Sequence, residues 1–317
     1  MRVAFVGKGG SGKTTLSALF SRHLARSGAP VLAIDGDINQ HLAEALAAGG
    51  QPGPVSPPLA AHVRELKDYL RGTNPRIDSA AEMIKTTPPG RGSRHLRFLG
   101  DDEIHTRHVS HVVGVPLMTT GEFDESDLGV ACYHSKLAGV ELYLSHLLDG
   151  PGEYVVVDMT AGADAFASGL FTRFDVTFLV AEPTRKGVSV YRQYRDHARD
   201  FGIRLAVIGN KVTTEDDLLF LKQQTGDDLL TYLVQDQWVR TAEQGVPRGE
   251  PDPLNQHALA LIRAAVDDTV RDWRTLHRHA VDFHLRNART WANAATGVDL
   301  ANQVDPDYVP GELPAAP

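Results

Sequence analysis

Five short runs of apolar residues, rich in β-branched side chains, recur along the chain: RVAFV (2–6), PVLAID (30–35), YVVVD (154–158), VTFLVA (176–181) and LAVIGN (205–210). Continuous apolar runs of this length mark strands covered on both faces, whereas a half-exposed strand would alternate. Helical patterns separate the runs. Between the first two, Leu16, Leu19, Phe20 and Leu24 recur at helical spacing and Gly28 stands where a helix stops. The pattern predicts an α/β fold: a doubly wound, mostly parallel sheet with helices on both faces.

Departures from this rhythm divide the chain. Glycine and proline cluster at 49–58 and again at 86–93, and LAAHVRELKDYLRG between them is amphipathic, so residues 49–112 read as a partly helical insertion. Over 254–292, Leu259, Ile262, Val266, Val270 and Trp273 have the spacing of a helix packed on a core. The organisation expected is one domain over 1–273, a helical extension over 274–297, and a flexible acidic tail over 298–317, which lacks Lys and Arg and is proline-rich.

Composition narrows the class. Of 317 residues 42% are hydrophobic and 23% charged, and no run of eighteen apolar residues suggests a membrane span. The amino terminus reaches glycine too early for a signal peptide, so a cytoplasmic location is expected. The net charge of −8 disfavours a broad nucleic-acid footprint, and Cys132, the lone cysteine, excludes an internal disulfide and a multi-cysteine metal site within one chain.

The chemistry concentrates in GKGGSGKTT, Gly7 to Thr15, directly after the first apolar run. Gly7, Gly12, Lys13 and Thr14 satisfy G-x-x-x-x-G-K-[ST] between a strand and a helix, the context a phosphate-binding loop requires. The backbone N–H groups of Gly9, Gly10, Ser11, Gly12, Lys13, Thr14 and Thr15 are expected to surround phosphates, helped by the helix dipole. Lys13 is expected on the β- and γ-phosphates, with the Thr14 hydroxyl and Asp158 holding Mg²⁺. Gly162 is placed to bring an N–H near the γ-phosphate. Asn210 begins Asn-Lys-Val-Thr, lacking the Asp that guanine requires at the fourth position, so ATP is expected and Asn210 is assigned to the purine edge.

These residues resemble the deviant-Walker-A ATPases, the group that includes MinD, ParA, the nitrogenase iron protein and the CooC-type nickel-insertion ATPases. The resemblance covers 1–48 and 114–270. In that family the extra lysine of KGGxGKT reaches the phosphates bound by the other subunit, which implies for Lys8 a role across an ATP-dependent homodimer. The segment AIDGDINQHL is similar to the family's DxDPxxNL, which implies that Asp37 directs the attacking water; Asp35 reads as a strand-end cap. Ile38 and His41 depart from that pattern. PLMTTGEFDESDLGVACYHSKLAGVELYLSHLL, VVVDMTAGADAF and LVAEPTRKGV look closest to the CooC-type branch. YLVQDQWVRTAEQGVP does too, and its early part is expected beside the adenine.

One departure concerns metal. The CooC-type Cys-x-Cys pair is replaced by Val130-Ala131-Cys132, leaving Cys132 with His134 as a substitute pair, or as a buried Cys beside a surface His. His105, His108 and His111 read as insertion-loop histidines before metal ligands, and the Arg-bearing segment 274–291 as a helix covering the core or a partner before a membrane helix. The resulting expectation is an Mg²⁺-dependent ATPase, a homodimeric switch acting on an unidentified protein client, with DNA and membrane disfavoured. A weakly hydrolysing or non-hydrolysing nucleotide-dependent scaffold and a MinD/ParA-like positioning ATPase stand as alternatives.

Overall fold

A computed structural model describes residues 1–122, 136–166, 168–247 and 251–311. Among these residues ten strands form, in chain order: β1 (Arg2–Gly7), β2 (Val31–Gly36), β3 (Leu96–Arg97), β4 (Ser110–Val112), β5 (Val115–Thr119), β6 (Leu147–Leu148), β7 (Tyr154–Met159), β8 (Val176–Ala181), β9 (Leu205–Val212) and β10 (Leu229–Val234). Eight of them make one sheet in the order β10-β9-β8-β1-β7-β2-β5-β4, and β3 pairs with β6 separately. All pairs are parallel except β4 with β5.

The apolar runs become the central strands, and β1, β2, β7 and β8 are buried at every residue. Alternate residues of β1 then serve two cores. Val3 and Phe5 pack toward α1 (Lys13–Arg26) and the helix Pro253–Asp267, while Ala4 and Val6 join the core on the opposite face. β1 sits where the chain changes direction, running to β2 on one side and, after β7, crossing to β8 on the other. In such sheets ligands bind in the crevice beyond the carboxyl ends of the strands at this switch point.

Beyond the sheet, three expectations change. Residues 254–292 form two α-helices, Pro253–Asp267 and Trp273–Asn287, the second continued by a π-helical turn over Ala288–Ala292, because Asp272 accepts the Thr275 N–H at 3.0 Å and starts the second one. Leu259, Ile262 and Val266 are buried as their spacing implies, but Val270 falls in the break and is 91% exposed. Residues 298–311, expected as flexible, are packed. Leu300 joins Ile84, Ala288 and Ala292 in a small core, and both Asp305 oxygens accept from the Arg91 guanidinium at 2.8 Å. Within the insertion, His105 lies between Asp102 and Tyr143, and His108 contacts the Pro57 carbonyl, whereas His111 is exposed. These three share no common centre.

A buried ion cluster ties the amino ends of the strands. Arg2, on β1, donates from Nε to Asp149 at 2.8 Å and to the Leu144 and Leu147 carbonyls. Arg271 bridges Asp149 and Asp175, which precedes β8. Burial opposes ionisation of Asp149, but the two guanidinium groups overcome it and hold its carboxyl well below the usual carboxylate range. A depressed carboxylate contributes stability that is present above its unfolded value, about 4, and lost as pH falls. Asp149→Asn should therefore cost about 3–5 kcal/mol at neutral pH by leaving Arg2 and Arg271 under-compensated. Urea denaturation is expected to show that difference near pH 7 and a smaller one near pH 3; equal stability of the two proteins at neutral pH would refute the role of the cluster.

Candidate functional site

The phosphate-loop sequence lies between β1 and α1 at this crevice. Gly12 has φ 93° and Gly10 φ 84°, left-handed values that glycine adopts freely. Gly12 also has no space for a side chain, since a Cβ there would lie 2.2 Å from Asn210 Nδ2. Ser11 N–H donates to the Lys8 carbonyl at 3.0 Å, closing the turn, and Leu16 N–H to the Gly12 carbonyl at 2.9 Å, beginning the helical ladder. The first N–H groups of α1 have no partner within the helix, so this end of the helix suits an anion.

Strand register delivers the carboxylates. Phe5 of β1 and Asp35 of β2 both pair with Asp158 of β7, so Asp35 and Asp158 reach the same level beside the loop. The Thr14 hydroxyl donates to Asp158 Oδ2 at 2.6 Å, and Ser17 makes a longer contact to Oδ1. Lys13 Nζ lies 3.3 Å from Asp37 Oδ2, with both side chains largely buried. Asn39 donates to the other Asp37 oxygen from its backbone and its side chain, which orients that carboxylate. Asp35 accepts from the Asp37 and Leu42 N–H groups at 3.1 and 2.9 Å, the cap its strand-end position suggests.

Three carboxylates thus gather beside the loop, and the buried Lys13 faces two of them, Asp37 and Asp158. Burial raises the Asp158 pKa to about 6, partly countered by Lys13 and the Thr14 hydroxyl. Burial and the neighbouring Asp158 charge push Asp35 well above the usual range. The site carries uncompensated negative charge and oxygen ligands, the donor set that suits a hard divalent cation such as Mg²⁺. Thr14 and Asp158 fit that ion; among the described residues no group of three or more His, Cys, Asp or Glu forms a cation site alone. Cys132 and His134 lie outside the described residues.

The other expected residues also surround the loop. The switch segment after β7 approaches it, since a Cβ on Gly9 would meet the Ala161 Cβ at 4.0 Å, and Gly162 follows with φ 70°. Asn210 Nδ2 donates to the Ser11 carbonyl at 2.8 Å. Its amide therefore braces the loop, while its oxygen remains an acceptor suited to an amino group. Thr15 donates to Glu243 at 2.7 Å. Lys8 is half-buried, and among the described residues its ammonium makes no hydrogen bond or ion pair.

Several contributors were not singled out from sequence. Lys211 Nζ donates to the Gly10 carbonyl and to Glu182, tying the loop tip to the end of β8. Adjacent residues on β9 therefore hold adjacent P-loop carbonyls; the Asn-Lys pair was the available signal, but nothing local marked Glu182. A cavity of about 460 Å³ opens from the loop toward Val234, Gln235, Asp236, Val239 and Arg240. Its volume falls within the range of small-ligand sites. The segment expected beside the base lines this cavity.

Known proteins resemble this chain in sequence or in fold. The carbon monoxide dehydrogenase accessory protein CooC of Rhodospirillum rubrum is 28% identical over 255 residues, covering 77% of this chain and 87% of that protein. An uncharacterised ATP-binding protein of Methanocaldococcus jannaschii is 29% identical over 248 residues, covering 77% and 88% respectively. Among solved structures, a ParA family ATPase from Chlorobium tepidum superposes with TM-score 0.53 at 16% identity, covering 89% of this chain and 97% of that one. MinD from Pyrococcus furiosus gives TM-score 0.52 at 16% identity, covering 83% and 98%. At such identities the two structures show the fold alone. Residues 3–247 match the family described as the CobQ/CobB/MinD/ParA nucleotide binding domain, and the chain belongs to that family.

Proposed function

We propose that the protein is an Mg²⁺-dependent ATP-binding and ATP-hydrolysing homodimeric switch that acts on a protein client in metalloenzyme maturation. The observation that carries the dimeric part is Lys8, a half-buried cation on the phosphate loop with no partner among the described residues of its own chain. A ligand shifts an equilibrium only by contacting one state more strongly than the other. Lys8 reaching the partner-bound phosphates makes that difference.

The chain's own residues define the chemistry. Loop N–H groups and Lys13 bind the phosphates, and Asn210 presents an acceptor toward the adenine amino group. As Lys13 turns to phosphate its contact with Asp37 weakens, which releases the Asp37 carboxylate to accept a hydrogen bond from water and orient it toward the γ-phosphorus. Water oxygen bonds to phosphorus as the β–γ bridging bond breaks, and the bridging oxygen leaves with ADP. Thr14 and Asp158 would hold Mg²⁺, whose charge offsets that of the phosphoryl oxygens. The CooC likeness supports the choice of client class.

Light scattering tests the switch. Wild-type mass is expected to double with a non-hydrolysable ATP analogue but not with ADP, whereas Lys8→Ala remains monomeric; equal dimerisation of the variant would overturn the trans role. Asp37→Ala is expected to lower Mg²⁺-dependent phosphate release by at least about 10²-fold, the contribution of a positioned proton-accepting group. Absence of such release in wild type would leave only a nucleotide-dependent scaffold. Because Asp158 is ionised at a cost, Asp158→Asn should stabilise the nucleotide-free protein by about 1–3 kcal/mol in urea while abolishing the Mg²⁺ dependence of nucleotide binding. Loss of stability in this variant would contradict the charge imbalance described above.

A further inference from the structure

Among the described residues the outermost strand β10 pairs only with β9. The central strands are buried throughout, but in β10 only Leu233 is. An open edge presents N–H and C=O groups to any chain that can lie beside it. At the carboxyl end of β10, Asn255 takes the place of such a chain. Val234 N–H donates to Asn255 Oδ1 at 2.8 Å, and Asn255 Nδ2 donates back to the Val234 carbonyl at 3.2 Å. Among the described residues nothing equivalent pairs with the outer side of residues 229–233.

A groove of about 320 Å³ follows this stretch. Leu218 and Lys222, on the helix Glu215–Thr225, form one wall. Leu254, His257 and Leu261, on the helix Pro253–Asp267, form the other. Leu254 and Leu261 are 56% and 38% exposed, apolar area that folding leaves in water. The surroundings are acidic, because Glu215, Asp216 and Asp217 begin the first helix and Asp227 and Asp228 lead into β10, whereas among the described residues Lys222 is the one lysine or arginine lining the groove.

We propose that this edge docks an extended segment of a partner protein that alternates apolar residues and carries lysine or arginine at its flanks, adding a strand beside β10. Main-chain hydrogen bonds provide affinity, and the groove receives alternate side chains. The acidic flanks select the basic partner and disfavour a second copy of this chain, whose edge would bring the same acids against them. The groove shares no lining residue with the nucleotide cavity.

The probe is a fluorescein-labelled peptide of three Val-Thr repeats flanked by two lysines on each side, titrated into the full chain. Saturable binding is expected, weakened about tenfold or more by the double variant Leu254→Asp/Leu261→Asp and by high salt. Amide hydrogen exchange over 229–233 should slow in the complex. Because both leucines are exposed and lie outside the nucleotide cavity, the variant should keep wild-type melting and nucleotide affinity. Failure of the lysine peptide to bind, equal binding of a glutamate-flanked version, or protection confined to the helices would each overturn the proposal. Nucleotide-free dimerisation abolished by the double variant would assign the edge to a second copy instead.

Discussion

The architecture turns on a carboxylate that the fold places where water scarcely reaches. Asp158 lies one residue before the end of a fully buried strand, and its charge is only partly answered by the Thr14 hydroxyl and by Lys13. Such a group costs free energy unless a cation is supplied. The cost is imposed by topology: β7 lies between β1 and β2, so its carboxyl end must emerge between the phosphate loop and the Asp35–Asp37 segment. A sheet wound this way cannot bring the loop and the aspartates together without also concentrating their charges.

The second buried ion cluster clarifies what that concentration means. At the amino ends of the strands, Arg2, Arg271 and the Met1 ammonium face Asp149 and Asp175, so each carboxylate is answered by a cation and carbonyl acceptors satisfy remaining donors. At the carboxyl ends, three carboxylates gather where Lys13 is the buried cation and faces only Asp37 and Asp158. Both clusters sit beside β1 in the same desolvating sheet. One is complete within the chain, and the other becomes complete by adding a cation, a difference that separates a structural ion cluster from a binding site more sharply than burial does.

This distinction also explains which features were legible in the sequence. Central strands, the loop and Asp158 are encoded locally, as an apolar run followed by glycines or by one acid, so a window of about ten residues contains the signal. The Asn-Lys motif points Asn210 to the purine edge, whereas its hydrogen bond to the Ser11 carbonyl joins residues far apart in sequence and has no local signal. Lys211–Glu182, Arg2–Asp149 and Arg91–Asp305 join residues far apart in sequence, with no local pattern to announce either partner. The last pair is why an acidic, proline-rich segment looked free when it is packed. Val270 shows the converse: a helical period continued across a helix break, where Asp272 started a new helix and left an apolar side chain in solvent.

The P-loop is held mainly by other strands rather than by its own residues. Its carbonyls at Gly10 and Ser11 are engaged by consecutive side chains of β9, and its first helical turn by Asp158 of β7 and by Glu243. Lys13 is restrained by Asp37. Lys8 makes no comparable contact with the described residues of its own chain. Holding the loop so completely restricts the backbone on which that lysine is mounted, reducing the entropy that a contact with another molecule must overcome. A lysine projected from an immobilised loop can discriminate between nearly identical phosphate groups by position, which is the capability a nucleotide-dependent switch requires of it.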